Sequence, residues 1–422
     1  MQRKQVFQGV NVVDLGWWVV WPLAVKHLAD FGANVVRIER SVQPPERRNR
    51  PFKDGIFGFN RSGYYNENNT SKYSLTLDLK NPKGYEVAKK LVQWADIVGE
   101  AFTPGTVAGW GLDYETCRKI KPDIIYISSS GVGQAGPDAE MPLYGHIVNA
   151  LSGFNHVVGW PDRAPVGPYG PFADYYTTHL VTTTMVAALV RKRKTGKGTY
   201  IDVASAEAVL WGGFETYAMD YLVNGREQTR MGNRHPYAAP HGAYLCQGGD
   251  FPPAKLPALE MKDRWCAIAV FTDEEWQRFC KVIGEPAWTK DPKFATLASR
   301  KQNEDELDRL VGQWTRDYSA EEVMYLMQAG GVAAGVVQTN QDLSEDAQLR
   351  HRGHWVLLDH KEIGPSYYNN YGWRLSKTPA QHKPVPLLGE HNEYVLRDFL
   401  GMSDEEIAEM AAARIFEARL TG

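Results

Sequence analysis

GVNVVDLGWWVVWPLAVKHLADFGANVVRIER, residues 9–40, is the stretch that decides the fold class. Asn11 to Leu15 (NVVDL) is a short β-branched run of the kind buried in a parallel sheet. After a turn around Trp17 and Trp18, Pro22 to Phe31 reads as a helix, with proline near its first turn where the missing N–H costs nothing. Asn34 to Ile38 (NVVRI) then reads as a second strand. A dinucleotide-binding fold would carry GxGxxG at this first strand-to-helix turn. The sequence there is GWWVVWP. The glycines that let backbone approach a pyrophosphate are missing, which argues against a nicotinamide or flavin. The P-loop pattern GxxxxGKS/T, the GxSxG elbow and HExxH are not found either.

Working outward, Leu75 to Leu79 reads as a short strand, Lys83 to Ala95 as an amphipathic helix, and Asp96 to Val98 and Asp123 to Ser128 as further strands. Tyr175 to Lys194 reads as a long helix, stopped by Thr195-Gly196-Lys197-Gly198 with basic residues in its last turn. Tyr200 to Val203 follows as a strand and Ala204 to Val223 as a helix. This alternation predicts a parallel sheet with helices on both faces. From about Asn224 the cadence is lost. Gly and Pro thicken between Gly232 and Pro257, which marks a crossing segment. Arg264 to Val270 predicts a strand, and Asp273 to Ile283 and Asn303 to Tyr318 predict amphipathic helices. Residues 225–340 therefore read as a smaller α+β domain, and 1–224 with 341–422 as a larger one. Trp355 to Leu358 and Trp373 to Leu375 predict antiparallel strands; Asn392 to Phe399 and Asp404 to Glu417 predict helices.

The 422 residues are 43% hydrophobic and carry a net charge of -3, which gives no electrostatic pull toward nucleic acid or an anionic membrane. No apolar run approaches the ~18 residues of a membrane span, and Met1 to Gln8 lacks the apolar core of a signal peptide. The expectation is a cytoplasmic protein with neither nucleic acid nor membrane as partner. Cys117, Cys246, Cys266 and Cys280 have no CxxC spacing and no histidines at zinc spacing, so neither disulfides nor a metal is expected. Thirteen Trp beside 21 Tyr is high, and such aromatics either fill a core or line a pocket for a flat or apolar ligand.

Two local signals point to chemistry. Arg37, Arg40, Arg47, Arg48 and Arg50 cluster after the second strand, where open α/β sheets bind ligands, and Arg forks match phosphate oxygens. A solvated basic loop is the plainer reading. Asp174 stands in GPYGPFADYYTTHL immediately before a helix, where it is explained as an N-cap. The same position favours an ionised carboxylate, which suits a nucleophile.

Several of these stretches together resemble the family III CoA-transferases, which include the formyl-CoA, carnitine and benzylsuccinate CoA-transferases, with α-methylacyl-CoA racemases as relatives. The similarity runs through residues 9–40, NNTSKYSLTLDLKNPKG at 68–84, FTPGTVAGWGLDYE, SSSGVGQAGP, FADYYTTHL, RKTGKGTYIDVA, DPKFATLASR and PLLGEH. GPYG before the aspartate and NGREQTRMGNRHPYAAPHG are most similar to the benzylsuccinate type. The resemblance implies an α/β fold: a Rossmann-like large domain whose parallel sheet is formed from both chain ends, plus the smaller α+β domain. It also implies two interlocked subunits, as a homodimer or as a heteromer with a paralogous chain. It places the nucleophile at Asp174 and CoA contacts at Trp18, Val19, Arg40, Leu77, Lys80, Phe102 and Tyr144. The sequence departs from the family at Gly109, where an arginine is usual, and at Pro142, where a lysine is usual. The glycine loop of the formyl-CoA enzyme has no counterpart beyond Gly248–Gly249.

The implied reaction transfers CoA from a donor thioester, expected to be succinyl-CoA, to a carboxylic acid. It runs through an aspartyl anhydride and an aspartyl-CoA thioester, with CoA as substrate and no prosthetic group. In the racemase branch a histidine stands nine residues before the glycine of a segment like YGHIVNALSG; here that residue is Tyr144, and His146 lies on another helix face. A non-catalytic subunit is the other alternative, and the presence of Asp174 argues against it. Trp17 and Trp21 are expected to line the acyl pocket, and His235, Tyr237 and His241 to meet a second carboxylate. Such a pocket suits an aromatic or bulky acid such as benzylsuccinate.

Overall fold

The computed structural model describes residues 5–42, 44–168, 170–248 and 263–416. Tyr169 of the GPYG stretch, Gly249, residues 250–257 of the Gly- and Pro-rich stretch, and Glu417 lie outside the described residues. The chain divides into two compact units. The first takes Met1–Asn155, Gly167–Gln228 and Gln348–Gly422, and the second takes His156–Val166 and Thr229–Ala347.

The first unit is built on strands β1 (Asn11–Asp14), β2 (Asn34–Glu39), β3 (Tyr73–Thr76), β4 (Ile97–Glu100), β5 (Ile125–Ser130) and β6 (Thr199–Ala204). Between them run α1 (Val20–Ala29), α2 (Gly63–Asn68), α3 (Pro82–Trp94), α4 (Tyr114–Ile120), α5 (Gly145–Leu151), the single turn α6 (Phe154–Val157) and the long α7 (Phe172–Thr195). All neighbouring strands pair parallel, in the order β3-β2-β1-β4-β5-β6. The strand order reverses between β1 and β4, so a crevice is expected beyond their carboxyl ends. Successive residues alternate faces, as a pleated strand requires. Val13, Val36, Val98 and Tyr126 share a core with Val87 and Leu91 of α3, while Val12, Val35, Ile97 and Ile125 share one with Leu28 of α1 and Val181 and Met185 of α7.

The described carboxyl-terminal residues belong to this unit but add no strand to its sheet. All six strands lie between residues 11 and 204, which corrects the expectation of a sheet formed from both chain ends. Val395, Leu396, Met402 and Ile407 instead complete one core. At the β3 edge, side chains meet the backbone where another strand would have paired: Thr76 N–H donates to Asn392 Oδ1 at 2.9 Å and Ser74 N–H to His391 Nδ1 at 3.3 Å. Trp21 is fully buried, its indole running against Gly99 and Gly16, where an added Cβ would stand 2.3 and 2.6 Å from it. It is core and not pocket lining, a second correction.

After β6 come α8 (Ser205–Val209) and α9 (Glu215–Asn224). The second unit holds an antiparallel sheet in the order β7-β8-β9, from β7 (His241–Leu245), β8 (Trp265–Ala269) and β9 (Ala333–Val336). Helices α10 (Asp273–Val282), α11 (Leu297–Gln302), α12 (Glu304–Thr315) and α13 (Ala320–Ala329) accompany it, around a core that includes Phe279, Phe294, Leu307, Val311 and Met327. Back in the first unit, the antiparallel partner of β10 (Trp355–His360) is β11 (Gly364–Asn369). Trp373 to Leu375, expected as that strand, is irregular. The Gly-Pro-Ser start of β11 reads as loop, yet a two-stranded hairpin has a free edge that tolerates proline.

Candidate active site

The five arginines after β2 part company in the structure. Arg37 lies inside β2, where both faces of the sheet are covered. It donates to Asp14 Oδ2 at 3.0 Å and to the Gly16 carbonyl at 2.9 Å, and it pairs with Glu46. Arg47 forks onto Glu39 at 2.8 and 2.9 Å and lies over the Tyr65 ring. Burial works against ionising Glu39, but Arg47 and Arg37 hold its carboxyl down at about 2. Lys72 closes the network on Asp14, the Pro22 carbonyl and Asn69. These cations are spent inside the protein, where losing one partner would strand a charge. The phosphate-binding reading of Arg37 and Arg47 is thereby corrected. The network's work is local: Arg37 on the Gly16 carbonyl and Asp14 on the Gly16 N–H fix the turn that carries Trp17 and Trp18.

Arg40 stands just past the strand end, exposed, and joins a cleft of about 730 Å³ beyond β1, β2 and β3. Leu15, Trp17, Leu77 and Trp110 give it apolar walls, while Arg40 and Lys80 bring two cations that pair with no carboxylate among the described residues. Phe102 bridges the two indoles edge-on, its centroid 5.1 Å from each. Arg48 and Arg50 are exposed outside this lining. Trp110 went unread in the sequence, although it directly follows Gly109, the position that lacks the expected arginine. An open cleft with flat apolar walls and two free cations at its edge suits a purine carrying phosphates.

From Trp17 the chain leads directly to the second part of the site. Trp18 adopts φ 65, a left-handed conformation that a bulky residue reaches only under strain. Its ring meets Tyr144 edge-on at 5.9 Å. Tyr144 precedes α5, and the next residue, Gly145, lies against Asp174: a Cβ at Gly145 would sit 2.6 Å from Asp174 Oδ1. Only glycine lets the start of α5 approach the carboxylate so closely. Val19 is buried, so its side chain has no free face to offer a ligand.

Asp174 is the third residue of α7 and not its cap; Pro171 holds the cap position. The N-terminal N–H of Ala173 is satisfied from another helix, by Asn149 Oδ1 at 2.9 Å, while Asn149 Nδ2 reaches the Gly170 carbonyl at 3.5 Å. Asn149 is 24 residues away in sequence, which hid this role. Freed from capping, the half-buried Asp174 carboxylate accepts no hydrogen bond and pairs with no cation among the described residues. Burial alone pushes its pKa up to about 7. Tyr64 and Tyr175 are close enough to feel it: burial first, then charges that include Asp174, raise both phenols. A carboxylate raised this far is a stronger base and nucleophile than an ordinary one and still ionises near neutrality.

The structure brings His235, Tyr237 and His241 together with Phe271 in the second unit, with ring separations of 5.3 to 6.0 Å. His235 Nδ1 accepts the Tyr237 N–H at 3.1 Å, and His241 Nδ1 lies 2.6 Å from the Asn233 carbonyl. Their hydrogen-bond partners therefore assign the ring proton to Nε2 of His235 and to Nδ1 of His241. A cleft of about 1060 Å³ in the same unit includes His241, and its Arg163 and Arg234 are matched by Asp162, Asp305 and Asp308. Among the described residues there is no cluster of three metal-ligating side chains and no helix long and apolar enough to cross a membrane. All four cysteines are buried and free.

Comparison with known proteins adds four findings. Residues 7–392 match the sequence profile described as CoA-transferase family III. The chain is 30% identical over 408 residues to the succinyl-CoA–D-citramalate CoA-transferase of Chloroflexus aurantiacus, covering 96% of this chain and 97% of that one. It is 31% identical over 405 residues to the succinate–glutarate CoA-transferase of Agrobacterium fabrum, covering 94% and 96%. Among solved structures, a CAIB/BAIF family protein from Brucella suis superposes with a TM-score of 0.83 at 28% identity, covering 94% of this chain and 100% of that one.

Proposed function

This chain belongs to CoA-transferase family III, and we propose on that footing that Asp174 is the nucleophile that carries CoA from an acyl-CoA donor to a carboxylic acid. One Asp174 oxygen attacks the thioester carbonyl, and CoA leaves as the thiolate, forming a mixed anhydride. The thiolate then attacks the aspartyl carbonyl and releases the donor acid, leaving an aspartyl-CoA thioester. The acceptor carboxylate attacks that thioester to form a second anhydride. The returning thiolate takes the new acyl group and restores Asp174. Anhydride and thioester are similarly activated, so no step is steep. The first N–H groups of α5, which begins against Asp174 at Gly145, have no intrahelical acceptor, and they are the donors proposed for the oxyanion.

The observation that carries this reading is the continuous path Trp17–Trp18–Tyr144–Gly145–Asp174. It joins a cation-edged aromatic cleft to a half-buried carboxylate that has no counter-ion among the described residues. Trp17, Arg40, Leu77, Lys80 and Trp110 would hold the nucleotide end of CoA, with Phe102 behind the indoles and Trp18 and Tyr144 along the arm. Succinyl-CoA as donor accords with relatives named for succinyl-CoA and succinate. For the acceptor we propose a bulky or aromatic dicarboxylic acid such as benzylsuccinate. Tyr144, Ile147 and Leu151 form an exposed apolar stripe along α5, which suits such a group. His235, Tyr237 and His241 are the proposed partners for a free carboxylate.

Assembly into an interlocked dimer accords with α9 and the residues before it: Trp211, Tyr221, Leu222 and Val223 are 67%, 56%, 74% and 70% exposed, more apolar surface than a lone helix leaves to water. A reducing cytoplasm accords with four free thiols. The test of the mechanism is mass spectrometry of the protein incubated with succinyl-CoA and then hydroxylamine or borohydride. A hydroxamate or a reduced side chain at Asp174 is expected; modification elsewhere, or none with CoA transfer intact, overturns the assignment.

A further inference from the structure

One buried acid has no part in the transfer chemistry. Glu100 ends β4 at the point where the strand order reverses, and it is 1% exposed. Its Oε2 accepts the Phe102 N–H at 2.7 Å, while Oε1 meets no hydrogen-bond partner among the described residues. Burial raises its pKa to about 7, against the opposing pull of the Ser128 hydroxyl and the Phe102 N–H. A carboxyl buried in such a place costs stability even with these partners, and an apolar side chain of similar size would pack there without that cost. What the carboxyl does for Phe102 is the compensating gain.

The other end of the same residue is held as well. Gln134 Nε2 donates to the Phe102 carbonyl at 3.3 Å. Gln134 is itself anchored, since its backbone N–H lies 3.0 and 3.2 Å from the two Asp202 carboxylate oxygens on β6. The loop reaches Asp202 through Gly133 at φ 90. Both polar groups of one residue are thus tied, the N–H to β4 and the carbonyl through the loop to β6. The gripped ring braces Trp17 and Trp110, the two indoles that line the cleft. The same grip sets the start of the turn that carries Trp110, where Gly109 N–H bonds to the Gly105 carbonyl at 2.9 Å and Trp110 N–H to the Val107 carbonyl at 3.1 Å.

We infer that Glu100 and Gln134 are positioning residues for the CoA nucleotide, gripping Phe102 from both ends so that Trp17 and Trp110 stand ready as a fixed aromatic wall; this rests on CoA occupying that cleft. The wall matters more in this chain because position 109 has no side chain to hold the ligand. Pre-ordering it spares the entropy of arranging two large side chains at binding.

The experiment compares Glu100→Leu, Glu100→Gln and Gln134→Ala in the full chain. Its readouts are CoA binding by calorimetry, the KM for acyl-CoA, the KM for the acid, kcat and thermal melting. Glu100→Leu is expected to weaken CoA binding and raise the acyl-CoA KM about five- to tenfold, the range of a lost aromatic contact, with kcat and the acid KM within about twofold. Glu100→Gln keeps an oxygen for the Phe102 N–H and is expected to stay near wild type. Gln134→Ala should weaken CoA about threefold, the worth of one ordinary hydrogen bond. Unchanged CoA binding in a folded Glu100→Leu protein overturns the inference, as does a Glu100→Gln protein as impaired as the Leu variant. Should the Leu variant fail to fold, Gln134→Ala decides, and unaltered binding there overturns it. A wild-type protein without affinity for CoA overturns the reading of the cleft and this inference together, whereas wild-type affinity with insensitive variants overturns this inference alone.

Discussion

The cleft beyond β2 and β3 and the pocket around Asp174 are joined by two consecutive tryptophans, yet they treat charge in opposite ways. The cleft sets Arg40 and Lys80 beside apolar walls and pairs neither with a carboxylate among the described residues. The pocket holds a carboxylate among tyrosines and backbone and offers it no cation among the described residues. Binding a phosphate needs cations that have not been used already. A carboxyl nucleophile needs the reverse, because an ion pair would lower its basicity and its readiness to attack. The same chain segment shows what happens when cations are matched: Arg37 and Arg47, a few residues from Arg40, are buried in acid pairs and hold a loop in place.

The hardest blow to this contrast is the loss of the carboxylate itself. Asp174→Asn is expected to lower kcat by at least about 10³-fold while CoA binding stays within about twofold, since the nucleophile is gone and the cleft is untouched. Steady-state rates beside calorimetric CoA titration check both halves. A large loss of CoA affinity in this variant would merge the two regions into one. Next in size is Gly145→Ala. Its methyl group would sit 2.6 Å from Asp174 Oδ1 and 2.5 Å from the Pro171 Cβ, so the carboxylate or the start of α5 must shift. Displacements of this order cost about 10- to 100-fold in rate. The expected signature is a fall in kcat with the acyl-CoA KM nearly constant, and a wild-type kcat would show that the close approach has no catalytic weight.

The cation side is probed by Arg40→Ala and Lys80→Ala. Each is expected to weaken CoA by about five- to tenfold at low salt, the worth of an exposed charge-assisted contact, and the loss should shrink as ionic strength rises. kcat at saturating acyl-CoA should hold. A comparison of CoA with its 3′-dephospho form sharpens the assignment: the residue whose removal costs less with the dephospho ligand faces that phosphate.

How much of this was legible in the sequence depends on the range over which each feature is encoded. The β-α-β unit at 9–40 is written locally, in strand runs and a proline-started helix, and the fold follows it. Arg37 was readable in hindsight, because it lies within NVVRIE, and a strand covered on both faces buries every side chain it carries. Arg40 lies past the strand end and escapes. Asp174 could be placed at a helix start but not told from a cap, since the answer lies in Asn149 on α5, a tertiary hydrogen bond without a local signature. The apolar runs of the first half likewise gave no sign that the chain's end would supply core residues and edge partners instead of strands.

The smallest expected effect ties the pocket's electrostatics to folding. Burial holds the folded-state pKa of Asp174 up at about 7, against the ordinary 3.8 of an aspartate in water. Ionisation is therefore easier in the unfolded chain, and this group opposes folding increasingly as pH rises from about 4 toward 7, after which the penalty is constant. Below pH 4 both states are protonated and the penalty vanishes. Asp174→Asn removes the ionisation and should melt higher than wild type at pH 8, by an amount on the order of 1–2 kcal/mol after allowing for partial exposure, with the gain fading as pH falls toward 4. In the active protein the same group should govern kcat/KM, which is expected to climb through pH 7 to a plateau. A pH-independent stability difference between the two proteins would mean that Asp174 ionises as an ordinary surface carboxylate. The contrast with the cation-edged cleft would then reduce to one of shape.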